Sequence, residues 1–144
     1  MYFSEELKSI NPPVDTPTLS QSDIEVWLQA LYLAQGSLLG NAIFWEVNFL
    51  RQLGWNTGRE EIQSLSDILN RLAKNTLTIQ KLDHTKIVVP LLEKITGGSS
   101  VPYRLQFHSD FDALFLSGPV CSDEQWPRYR RSLVVQLYNA MQLN

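Results

Sequence analysis

From Val26 to Trp45 the chain carries no Asp, Glu, Lys or Arg. A run this long without charge must be buried on most sides, either in lipid or in the centre of a folded domain. Gln29, Gln35, Ser37 and Asn41 interrupt it, and each is costly in hydrocarbon unless paired. Basic flanking residues are missing on its N-terminal side. The stretch therefore reads as the central helix of a soluble domain, running from about Ser22 to Trp55.

Two apolar seams support that reading. Gln29, Leu33, Gly36, Gly40, Ile43, Val47 and Leu50 follow spacings of four and three, and Leu28, Leu31, Gln35, Leu38, Ala42, Trp45 and Phe49 lie on the opposite side. A helix apolar on both sides needs cover on both sides. Gly36 and Gly40 form a Gly-x-x-x-Gly pair that lets two backbones approach closely. They are candidate interface residues, or the point where the helix breaks.

Ser22 with Glu25 has the spacing of a capping box at the start of this helix, and Thr57 with Glu60 repeats it before a second helix at about 58–75. Ile62, Leu65, Leu69 and Leu72 give that helix one apolar face. A third helix is expected to start at Ser122, with Trp126, Tyr129, Leu133, Leu137 and Met141 as its buried stripe. Between them, the pattern predicts a helix from about Pro90 to the stop at Gly97-Gly98, with Lys86 to Val89 extended before it. Val101, Tyr103, Leu105 and Phe107 alternate with polar neighbours, the clearest strand signal in the chain. Phe111 to Leu116 is its expected hairpin partner, or else a short helix. Asn11-Pro-Pro-Val-Asp-Thr-Pro must be extended. The whole reads as one mainly α domain over 1–144, a helical bundle with an optional strand or hairpin near 101–116 and a partly extended arm at 1–20.

Function is less legible. The formal net charge of −3 at pH 7 supplies no overall field for phosphate backbones. Cys121 is the sole cysteine, which excludes an intrachain disulfide and fits a reducing, cytoplasmic setting. It could act as a nucleophile with His84 or His108 as base, but no motif surrounds it, and a lone cysteine is more often a packing residue. His108, Asp110 and Asp112 could hold a divalent metal, although a solvated turn explains them better. Gly97-Gly-Ser-Ser lacks the Gly-Lys-Ser/Thr ending of a nucleotide loop.

Trp126, Arg128, Arg130 and Arg131 form a basic–aromatic group of the kind favoured in protein interfaces. The expectation is a non-catalytic interaction protein, a small cytoplasmic regulator, adaptor or complex subunit, with self-association as one form. It has an unidentified protein partner, no nucleic acid or membrane partner, and no metal or cofactor. The alternative is a helical pocket protein that binds or acts on an apolar small molecule, with Trp27, Phe44, Trp45 and Phe49 lining the pocket.

Overall fold

A computed structural model describes residues 2–3, 7–11, 19–35, 40–81, 85–98, 100–108, 115–116 and 124–142. These form a mixed α/β structure. Strands β1 (Tyr2–Phe3) and β2 (Leu7–Asn11) precede helix α1 (Gln21–Gln35), strand β3 (Asn41–Phe44) and helices α2 (Glu46–Leu53) and α3 (Arg59–Ala73). Strands β4 (Thr76–Lys81), β5 (Lys86–Pro90), β6 (Lys94–Gly98), β7 (Val101–Gln106) and β8 (Phe115–Leu116) follow, and α4 (Trp126–Gln142) closes the order. The strands pair as β1-β8, β2-β4-β5 and β3-β7-β6, all antiparallel.

The mainly α bundle around one long helix is therefore wrong, and the reason lies in 40–45. Helix α1 ends by Gln35, Gly40 adopts a left-handed φ of +68°, and Asn41–Phe44 is a strand. Ala42 and Phe44 are buried while Ile43 is half exposed, the period of two that defines a half-buried strand. Short apolar runs satisfy a helical and an extended period alike, so one continuous seam was read through a helix, a strand and a second helix.

Helix α1 is nevertheless the centre of the fold. Ile24, Val26, Trp27, Leu28, Ala30, Leu31 and Ala34 are buried around its circumference, covered by α4, α3 and β3. Its cap differs from the expected Ser22–Glu25 pair. The Asp23 backbone N–H donates to Ser20 Oγ at 3.1 Å, and the Ser20 N–H donates to Asp23 Oδ2 at 3.2 Å. This is the same reciprocal box set two residues earlier. Likewise α3 starts at Gly58 with no side-chain cap, in place of Thr57–Glu60.

The expected helix at 90–97 is absent. Lys86–Pro90 pairs with β4, and Lys94–Gly98 pairs with β7. The strand expected at 101–107 is present, but its partners are β3 and β6, and Phe115–Leu116 instead pairs with Tyr2–Phe3. Leu77, Val89, Leu91 and Leu92 of this region join the core, and the Trp27 indole N–H donates to the Leu91 carbonyl at 3.0 Å. Among the described residues no helix is long and apolar enough to cross a membrane.

Candidate functional site

Helices α2 and α3 are consecutive, amphipathic and joined by only 54–58. Gly54 ends α2 in the left-handed conformation (φ +76°), and its N–H donates back to the Arg51 and Leu50 carbonyls. Phe49, Leu50 and Leu53 of α2 and Leu65, Ile68, Leu69 and Leu72 of α3 point into the core. Two consecutive helices around a glycine-containing turn, the second longer and packed on α1, have the element order of a helix-turn-helix unit. The β6–β7 hairpin, separated from α3 in the chain by β4 and β5, is tied back to the front of the unit, because β3, which leads into α2, is its third strand.

With its apolar side buried, α3 presents Arg59, Glu60, Gln63, Asp67, Asn70 and Lys74 to solvent. Gln63 Nε2 donates to Asp67 Oδ1 at 3.1 Å, one turn along the same face. Arg59 and Lys74 are balanced by Glu60 and Asp67, so the face is rich in hydrogen-bonding groups without being strongly charged. The composition alone could not reveal this face. The sequence pattern does: the apolar stripe at Ile62, Leu65, Leu69 and Leu72 leaves these six residues mostly on the other sides of the helix.

Two polar networks hold the unit to α1. Arg71 of α3 grips the buried Asp23 carboxylate through Nη2–Oδ1 at 2.9 Å and Nε–Oδ2 at 3.2 Å. Hydrogen bonding to Asp23 raises the Arg71 pKa, against a smaller desolvation effect. On the far side of α1, the Gln29 side-chain oxygen accepts from Trp126 Nε1 and Arg130 Nη1, each at 2.7 Å, and Gln29 Nε2 donates to Gln52 Oε1 at 3.1 Å. Arg130 Nη2 lies 3.6 Å from Glu25 Oε1. Burial pushes the Glu25 pKa up, opposed by the charges of Arg130 and Arg131 and by a hydrogen bond from Trp55. Burial pushes the Arg130 pKa down, opposed by Glu25.

This network decides where the expected interface residues lie. Trp126 and Arg130 are each only 3% exposed and belong to the α1–α4 seam, with Trp126 stacked on Tyr32 at 4.3 Å. Arg128 and Arg131 face solvent. Gly40 is exposed and immediately precedes β3, while Gly36 lies outside the described residues. So do Cys121, His84, Asp110 and Asp112, and among the described residues no group of three or more metal-ligating side chains forms. The aromatics considered for an apolar pocket do not converge on one: Trp27, Phe44 and Phe49 are packed in the core, and Trp45 is half exposed. The cavity beside α3 is instead an open cleft of about 570 Å³ with mixed polar walls, including Ser22, Asp23, Trp55, Glu61, Ser64 and Arg71.

No protein-family model matches the chain, and no curated protein matches its sequence. Among solved structures it is similar to the crystal structure of domains 2–3 of RctB (residues 155–483). That similarity has a TM-score of 0.56 at 10% sequence identity, covering 100% of this chain and 68% of the other, and it is a likeness of fold.

Proposed function

We propose that this chain is a non-catalytic binding module of the cytoplasm that docks α3 in the major groove of duplex DNA. The observation that carries the reading is the α2–α3 helix-turn-helix with a β-hairpin beside it, whose second helix turns Arg59, Gln63, Asn70 and Lys74 outward. A helix of this kind fits the major groove, where Asn and Gln pair bidentately with adenine and Arg with guanine. The even charge balance of the face gives it few phosphate contacts. Its affinity then depends on base contacts more than on counterion release, and non-specific binding is weak.

Selection from a pool of random-sequence duplexes tests this. The expected result is enrichment of a short motif whose binding falls about 5- to 150-fold in Asn70→Ala and Gln63→Ala, the range for loss of one bidentate base contact. A pool that shows no enrichment would remove the reading.

A protein partner is the second reading, favoured by α4. Arg128, Arg131 and the half-exposed Val135 share its solvent side, and arginine beside apolar surface is an interface composition. Sedimentation of the native chain and of Arg128→Glu/Arg131→Glu distinguishes self-association there from a monomer.

A further inference from the structure

The outer face of the β3-β7-β6 sheet has a composition that the helix-turn-helix does not explain. The inner face is buried through Ala42, Phe44, Tyr103 and Leu105. The register sets Asn41, Gln106 and Lys94 in one outer row and Ile43, Arg104 and Thr96 in the next. Trp45 follows β3 with extended backbone (φ −86°, ψ 144°), so the alternation carries its ring to the same side as Ile43. Trp45 is 50% exposed and Ile43 51% exposed, and Lys94, Thr96, Arg104 and Gln106 are exposed.

No carboxylate stands in either row. The nearest along the chain, Glu46 and Glu93, lie beyond the strand ends. A second copy of the chain is a poor occupant, because a face-to-face two-fold contact would bring Lys94 and Arg104 of both copies into one interface with no carboxylate in either pair of rows to neutralise them. Lys94 and Arg104 are diagonal cross-strand neighbours, about 7–8 Å apart, a separation that successive phosphates of an extended strand can match. A flat exposed ring beside paired cations and side-chain amides suits unpaired bases, which stack on the ring while their phosphates meet the cations.

From this juxtaposition we infer that the outer sheet face binds single-stranded nucleic acid, with Trp45 as the stacking platform and Lys94 and Arg104 as the phosphate contacts. Asn41 and Gln106 flank the path and can reach base edges. The site is separate from the outward face of α3, so it stands or falls independently of duplex binding there.

Fluorescence anisotropy of a labelled oligothymidylate of about twenty nucleotides with the native chain, at low salt, tests the inference. Trp45→Ala should weaken binding about tenfold or more, whereas Trp45→Phe, which keeps a ring, should retain most of it. Lys94→Gln/Arg104→Gln should weaken binding and flatten the salt slope by about 1.4, from two phosphates at about 0.7 each. Asn70→Ala should leave single-strand binding unchanged. The inference is overturned if oligothymidylate fails to bind, if Trp45→Ala matches the native chain, or if poly-glutamate binds as tightly as the oligonucleotide. Circular dichroism of each variant separates loss of contact from loss of fold.

Discussion

Arg71 holds Asp23 with two parallel hydrogen bonds, 2.9 and 3.2 Å, which join the last turn of α3 to the first turn of α1. The two ends of this bond differ in exposure: the Asp23 side chain is 2% exposed and the Arg71 side chain 44%. Asp23 also completes the α1 cap with Ser20. One carboxylate thus helps cap the central helix and pins the last turn of α3 to its start.

That asymmetry orders two substitutions. Asp23→Ala keeps the Ser20 Oγ cap but loses the bond that its carboxylate accepts from the Ser20 N–H, about 1 kcal/mol, and a pair whose arginine keeps water on one side, about 1 kcal/mol more. Arg71→Ala leaves the carboxylate buried with only its cap partners, at a cost of about 3 kcal/mol. Urea denaturation of both variants should rank Arg71→Ala as the less stable, and the reverse order would show that the cap outweighs the pair.

The Trp27 bond to Leu91 ties α1 to the segment between the two β-hairpins across 64 positions of sequence. Trp27→Phe strands a buried carbonyl and opens space in the core, so it should cost about 2–3 kcal/mol. Thermal unfolding by near-ultraviolet circular dichroism measures this, and an unchanged midpoint would mean that the indole N–H contributes nothing.

Two glycines with positive φ should respond differently to alanine. At Gly54 (φ +76°) nothing lies within 4 Å of an added Cβ, so Gly54→Ala costs only the left-handed backbone, about 1 kcal/mol. At Gly97 (φ +90°) the added carbon would overlap the Pro102 carbonyl oxygen. Gly97→Ala should therefore destabilise more than Gly54→Ala and disturb the β6–β7 amide resonances selectively. Equal costs would rule out the steric part of this explanation.

Glu25 makes stability depend on pH. Its folded pKa is raised from the ordinary 4.5, chiefly by burial, so between the two values the folded state holds more protons than the unfolded one. The contribution of this group to stability is then best below 4.5 and falls as pH rises through the raised value. Glu25→Gln has no charge to desolvate. Its stability relative to the native chain should improve with rising pH across that window and then level off, as read from denaturation curves at matched pH. A constant difference would place the Glu25 pKa at its ordinary value.

Much of the helical content was legible because it obeys one period. The one-sided face of α3 and the alternation of β7 were readable from Ile62, Leu65, Leu69 and Leu72 and from Val101, Tyr103 and Leu105. The error at 40–45 arose because Ala42 and Trp45 fit a 3.6-residue stripe while Ala42 and Phe44 fit a two-residue alternation, and so short an apolar run carries both. Only the cross-strand pairing of Phe44 with Tyr103 selects the latter. Trp126 and Arg130 resembled an interface because sequence does not show that Gln29, nearly a hundred positions away, accepts from both. The candidate site was hidden for the same reason, since it depends on the sheet that sets a hairpin beside α2 and α3.

The most direct test of the proposed function is a titration of the ¹⁵N-labelled chain with a selected duplex, followed by amide chemical shifts. Docking of α3 in the major groove requires the largest shifts at Gly58 to Lys74, with little change in α4. Saturating duplex that leaves the α3 amides unmoved, or moves only the outer face of α4, would contradict it.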